Sequence, residues 1–192
     1  MRVVRPRHPE RGRRRHVRVC QHGNITITSG AINIGARSVI DGALTSLLAG
    51  AITLEYNVEV GGAVATHTGA ITSGARSQVS GSVSSNDGAV TVGDDAAVGG
   101  AVCTGNSGAI TVGDRTDVGG NIETALAGAI TVGNLSRVSG AVTVRGAGAR
   151  TVATDARTGS MIGSTCGAAT PRLAPPAPFR IKARQWRQLF MR

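Results

Sequence analysis

Apolar residues in the middle of this chain fall at every second position for a few residues, break at a glycine, and resume. The interval between breaks repeats. Gly50–Thr53, Gly69–Thr72, Gly88–Thr91, Gly108–Thr111 and Gly128–Thr131 all read Gly-Ala-Ile/Val-Thr, with a degenerate copy from Gly30 to Asn33. Successive copies are 19 or 20 residues apart. Period-two alternation predicts short strands with one buried face. A fixed period near 20 predicts that each copy is one coil of a solenoid.

Aligned copies divide into columns. Ile32, Ile52, Ile71, Val90, Ile110 and Ile130 form the first. Ile34, Leu54, Ser73, Val92, Val112 and Val132 form the second, and Ile40, Val60, Val79, Val98, Val118 and Val138 the third. Leu44, Val64, Val83, Val102, Ile122 and Val142 make a fourth. These four columns are the expected interior, where β-branched side chains stack with few rotamers to lose. Each unit divides into two similar halves, Ala-Ile-Thr-Val-Gly (109–113) and Val-Gly-Gly-x-Val/Ile-x-Thr (118–124). The one-residue variation in length falls between the second half and the next Gly-Ala, which predicts a corner there.

Glycine columns (42, 62, 81, 100, 120, 140; and 35, 74, 93, 113, 133 with Glu55 the exception) predict bends that need either positive φ or close backbone approach. Ala36, Ala75, Asp94, Asp114 and Asn134 follow the second of these, and Asp or Asn beside Gly is a turn pair. Between the first two apolar columns stand Asn33, Thr53, Thr72, Thr91, Thr111 and Thr131, expected to face solvent. Thr is a good strand residue on an exposed face; a regular Thr ladder also fits a surface that binds ice or another ordered partner.

Composition narrows the shape. The chain has 192 residues and 28 glycines, yet aromatic residues make up only 2%. A thin stacked core of Val, Ile and Ala needs no large side chains, whereas an ordinary globular core does. The expected fold is therefore all-β, a single-stranded parallel β-helix. Its regular part runs over 21–144, followed by irregular coils or a cap at 145–169. A Pro-rich linker occupies 170–178.

Charge is concentrated at the ends. Residues 1–19 carry +7 and residues 172–192 carry +6, while 20–171 carry −3, together the formal +10. The first 20 residues read as a basic, disordered tail. Residues 179–192 read as a basic amphipathic tail in which Trp186 and Phe190 could anchor on the rod's end, on a partner or on an anionic membrane surface. No specific nucleic-acid contact is expected. No stretch is long and apolar enough for a transmembrane helix. Without a signal peptide the compartment would be cytoplasmic or membrane-peripheral; with one upstream, the protein would be exported.

Candidate chemistry is sparse. Cys20, Cys103 and Cys166 are widely separated and suggest neither a disulfide framework nor a metal site; Cys103 reads as a small replaceable side chain. The four histidines are scattered, and no phosphate loop, metal-ligand spacing or nucleophile–base pair is present, so no catalytic, cofactor or metal residue is expected. His22–Thr26 matches the second half of a coil, so the solenoid opens part-way through a turn. Its open ends would expose strand edges and interior. Ile25 and Val142 are the candidate positions for end-to-end self-association.

The phrases Ala-Ile-Thr-Val-Gly-Asp (109–114) and Val-Gly-Gly-Asn-Ile (118–122), with copies from about 23 to 144, resemble bacterial polymer-forming β-solenoids of the bactofilin type. They also resemble Gly/Thr/Ala-rich repeats of exported bacterial surface proteins. The resemblance implies a right-handed β-helix, a cytoskeletal or scaffolding role, and assembly without nucleotide or other cofactor. The alternative is a secreted adhesin or ice-binding module that uses Thr53, Thr72, Thr91, Thr111 and Thr131.

Overall fold

A computed structural model describes residues 20–161. Among the described residues, twenty-two short strands follow one another without a helix and stack into three parallel sheets. The first sheet has eight strands, from Cys20–Gln21 to Arg157–Met161. The second and third have seven each, from Ile25–Ile27 to Val142–Val144 and from Ile32–Ile34 to Arg150–Val152. Every strand pairs with its equivalent one coil away, so the chain visits the three sheets in turn and repeats. This is a single-stranded parallel β-solenoid. Eight strands at about 4.8 Å make a rod about 34 Å long.

The aligned columns become stacked contacts. Ile52 lies beside Ile71, Val90 beside Ile110, and Ile110 beside Ile130 in the third sheet. Val60, Val79 and Val98 stack in the first, and Val64, Val83 and Val102 in the second. Nearly all of these side chains are fully buried in one continuous core. At about 2 kcal/mol per buried aliphatic side chain, four in every coil are the main favourable term.

Two expectations are refined. The sequence divides each repeat into two halves, whereas the coil has three sides. The Gly-Gly inside the second half is itself a corner, which leaves the third column in the first sheet and the fourth in the second. The reason is visible at Gly62, where a Cβ would stand 2.6 Å from the Ala43 nitrogen and 2.8 Å from the Gly42 carbonyl carbon. Only a residue without a side chain lets the coils stack that closely at so tight a turn. The stacking also continues past Val144: Ile130, Thr131 and Val132 pair with Arg150, Thr151 and Val152. Register slips only in the final pairing, between Val138 and Gly140.

The variable residue sits where the sequence placed it. Three residues separate the first and second sheets in every coil up to Val118–Ile122, one separates Gly140 from Val142 where the strand of the first sheet runs on through the corner, and four separate the third sheet from the first throughout. The second-to-third corner holds four residues between Thr66 and Ile71 and five between Thr104 and Ile110. Where longer corners lie next to each other they make bridges of their own, Ser107 to Ala127 and Ala127 to Ala147.

Candidate functional site

Most side-chain polarity in the described coils is spent on the fold's own backbone. One hydroxyl ladder lies inside the second sheet: Ser46, Thr66, Ser85, Thr104 and Thr124 are all buried. Turning a corner leaves backbone carbonyls without a ladder partner, and these hydroxyls supply one. Thr66 donates to the Gly50 carbonyl (2.9 Å), Ser85 to that of Gly69 (2.9 Å) and Thr104 to that of Gly108 (3.1 Å). Ser85 also accepts from the Gly88 amide at 2.8 Å. A second buried set, Ser38, Ser77, Thr116 and Ser136, lines the third-to-first corner. There Ser77 donates to the Glu55 carbonyl (2.9 Å), Thr116 to Gly93 (2.9 Å) and Ser136 to Gly113 (2.8 Å). Sequence reading missed both ladders, although each stands two places from an inward column, Thr124 after Ile122 and Thr116 before Val118, because only apolar residues are assigned to the interior. Among the described residues, the hydroxyls of Ser46 and Ser73 find no hydrogen-bond partner.

Carboxylate and amide side chains at the third-to-first corner also hold successive coils together. Asp94 Oδ1 accepts from the Asp114 amide at 2.9 Å, and Asp114 Oδ1 from the Asn134 amide at 2.7 Å. Each oxygen occupies the place that a Cβ would need in the next coil: a Cβ on Gly113 would lie 2.3 Å from Asp94 Oδ1, and one on Gly133 would lie 2.5 Å from Asp114 Oδ1. The Asp beside Gly is thus more than a turn pair. Where Glu55 replaces glycine the preceding coil has Ala36, and Glu55 reaches back to accept from the Ala36 amide at 2.8 Å.

The positive-φ residues of this corner are not glycines. Arg37, Asn57, Arg76, Asp95, Arg115 and Leu135, two places after the glycine column, have φ between 53° and 62°. Of the two requirements the sequence left open, the glycine columns at 62 and 133 therefore meet close approach. The left-handed positions form an exposed ridge. On it Arg115 donates to both Asp95 carboxylate oxygens, at 2.6 and 2.9 Å. That hydrogen bond, with the charges of Arg115 and Arg76, holds the Asp95 carboxyl below its ordinary value, and Arg115 is raised in turn. Arg37 lies over the Tyr56 ring, 5.6 Å from its centre.

The expected Thr column is in register on the outer side of the third sheet. Thr53 pairs with Thr72, Thr72 with Thr91, Thr91 with Thr111 and Thr111 with Thr131. Thr72, Thr91, Thr111 and Thr131 are exposed and Thr53 is half-buried. From Thr53 onward each coil offers one hydroxyl on this face, and the first coil has Asn33 in its place.

The two residues expected at the ends differ. Ile25 lies on the first strand of the second sheet and is half-buried. Beside it a small cavity of about 120 Å³ opens among Gln21, Asn33, Ile34, Ser38 and Ile40. Val142 begins the last strand of that sheet and is 6% exposed, so it belongs mainly to the core. Trp186 and Phe190, the Pro-rich segment and nearly all of the basic N-terminal stretch lie outside the described residues. Cys103 is not the replaceable side chain that its column suggested: it is buried and takes part in a disulfide.

Among the described residues no three His, Cys, Asp or Glu side chains cluster to hold a metal ion, and no helix is long and apolar enough to cross a membrane. Compared with protein-family models, with curated proteins and with solved structures, the chain matches none.

Proposed function

We propose that this chain is a structural, non-enzymatic rod whose copies stack end to end, in the manner of the polymer-forming bactofilin-type solenoids that its repeats resemble. The observation that supports this reading is the core. It runs without interruption from the first described coil to the last. At one end Ile25, Ile27 and Ile34, and at the other Val144, Val152 and Ala156, pack on it while still partly exposed. Unpaired edges and half-covered aliphatic side chains favour the addition of another coil, and an equivalent coil is what a second copy offers. Polar groups of the rod are engaged in corner hydrogen bonds, consistent with a scaffold. Contact between the basic terminal segments and an anionic membrane surface belongs to the same proposal.

Electron microscopy and sedimentation of the full chain test the reading. Wild type should form filaments or concentration-dependent oligomers, and Ile25→Asp should reduce assembly while keeping the β circular dichroism signal. Val142→Asp should also reduce assembly, but with a loss of thermal stability because that residue is core. Wild-type protein that stays monomeric at every concentration would sink the proposal. The alternative, an adhesin or ice-binding role for the Thr column, is not carried forward. That face presents one hydroxyl per coil from Thr53 onward, while the hydroxyls of Thr66, Ser85 and Thr104 are committed inside the rod.

A further inference from the structure

The inward columns finish differently at the two ends of the described rod. At the N-terminal end the first, second and fourth columns begin with Ile32, Ile34 and Ile25. At the C-terminal end Arg150 stands in the first column beside Ile130, which follows Val90 and Ile110 in the same register. Among the described residues these four columns hold no other charged side chain. The Arg150 guanidinium crosses the end of the core from the third sheet to the second, where Nη1 donates to the Val142 carbonyl at 3.2 Å. That carbonyl is an edge group. The amides of Leu44, Val64, Val83, Val102 and Ile122, which precede Val142 in the fourth column, each donate to the following coil. The N–H and C=O of one strand residue point to the same side, so the Val142 carbonyl faces the place where one more coil would sit. Arg150 thus holds an acceptor that an added strand needs, and its own side chain is exposed there.

We propose that Arg150 gates end-to-end assembly: a second copy adds at the Val142–Val144 edge only once the guanidinium has swung out of the core end. The proposal rests on the end-to-end reading and names the residue that limits it. Covering Arg150 where it lies would bury a full charge with one carbonyl as its partner, which is strongly unfavourable. Swung outward, the guanidinium stays hydrated and the Val142 carbonyl is open to the backbone amide of an incoming strand.

Sedimentation velocity of the full chain over a concentration series tests the gate. Arg150→Ile, which repeats the residue of the preceding coil, should assemble at a concentration about tenfold or more below wild type, the scale of one hydrogen bond from a charged donor. Arg150→Ala, which adds no apolar bulk, should move the threshold the same way by less. Arg157→Gln removes the same charge from an exposed position beside Arg137, outside the inward columns, and should leave the threshold unchanged. Adding Ile25→Asp to Arg150→Ile should reverse the gain if association runs through the ends of the rod. An unchanged or higher threshold in both Arg150 variants, with wild type assembling, would overturn the gate and leave the stacking reading standing. Extra association that Ile25→Asp does not reverse would also overturn it, because that marks a sticky surface and not an opened end. If neither wild type nor variant assembles, both readings fall. A monomeric wild type with assembling Arg150 variants would support the gate and sink the reading that the unmodified chain polymerises.

Discussion

Two substitutions two residues apart should move stability in opposite directions. Gly133 and Leu135 share one third-to-first corner. In Gly133→Ala the new Cβ would lie 2.5 Å from Asp114 Oδ1, 2.7 Å from the Gly113 carbonyl carbon and 2.8 Å from the Asp114 nitrogen. Two of these are backbone atoms of the coil below, which cannot swing aside. Relief requires lifting the corner, which loosens the Gly133 amide bond to Val112 (2.8 Å) and the Asn134 amide bond to Asp114 (2.7 Å). Overpacking at about 1–3 kcal/mol plus one weakened hydrogen bond at about 1 kcal/mol gives a loss of about 2–4 kcal/mol. Leu135 has φ 56° and is 64% exposed, so its side chain contributes little burial while its backbone is strained. Leu135→Gly relieves about 1–2 kcal/mol of left-handed strain and loses about 0.5–1 kcal/mol to the more flexible unfolded chain. The net gain is about 0.5–1 kcal/mol, or a Tm about 2–3 °C higher for a chain of this size. Thermal and urea unfolding followed by circular dichroism reads both variants. If Gly133→Ala leaves Tm unchanged, or if Leu135→Gly lowers it, the assignment of close approach to one residue and left-handed backbone to the other is wrong.

Other outcomes follow from the same geometry. Ser73→Val should stabilise the fold by about 1 kcal/mol, because an unpartnered buried hydroxyl is replaced by the side chain that Val92 and Val112 supply in the same column. Ser85→Ala should instead cost about 2–3 kcal/mol, because the Gly69 carbonyl and the Gly88 amide both lose their partner; urea midpoints distinguish the two. Because the folded Asp95 carboxyl titrates below its unfolded value, its contribution is present at neutral pH and disappears as pH falls through the folded value. The stability difference between wild type and Asp95→Asn should therefore be flat above about pH 5 and shrink below about pH 4; a difference that grows on acidification would contradict the ion pair. One alanine inserted after Thr68, in the corner that already varies in length, should change stability by less than about 1 kcal/mol. The same insertion after Ser80, in the invariant first-to-second corner, should abolish cooperative unfolding, because it turns every later inward side chain outward.

The sequence alone determined the coil length, the four interior columns, the corner that absorbs an extra residue and the lack of a recurring reactive side chain. These were legible because a solenoid repeats each local environment about every 20 residues, so one position can be read against its equivalents. Tertiary structure alone decided the number of sides, since whether Gly61–Gly62 is flexible strand or corner depends on how near the coil below comes. It also decided what the buried hydroxyls do: alternation puts Thr124 on the same face as Ile122, but only the fold shows that it meets the Gly128 carbonyl at 3.3 Å. The positive-φ ridge was hidden for the opposite reason. Arg, Asn, Asp and Leu occupy it without a common composition, because their side chains point into solvent and only the backbone is constrained. At Cys103 and Glu123 the repeat itself was misleading. A column predicts what like residues do when stacked, whereas Glu123 is buried against Arg145 of the next coil and Cys103 takes part in a disulfide.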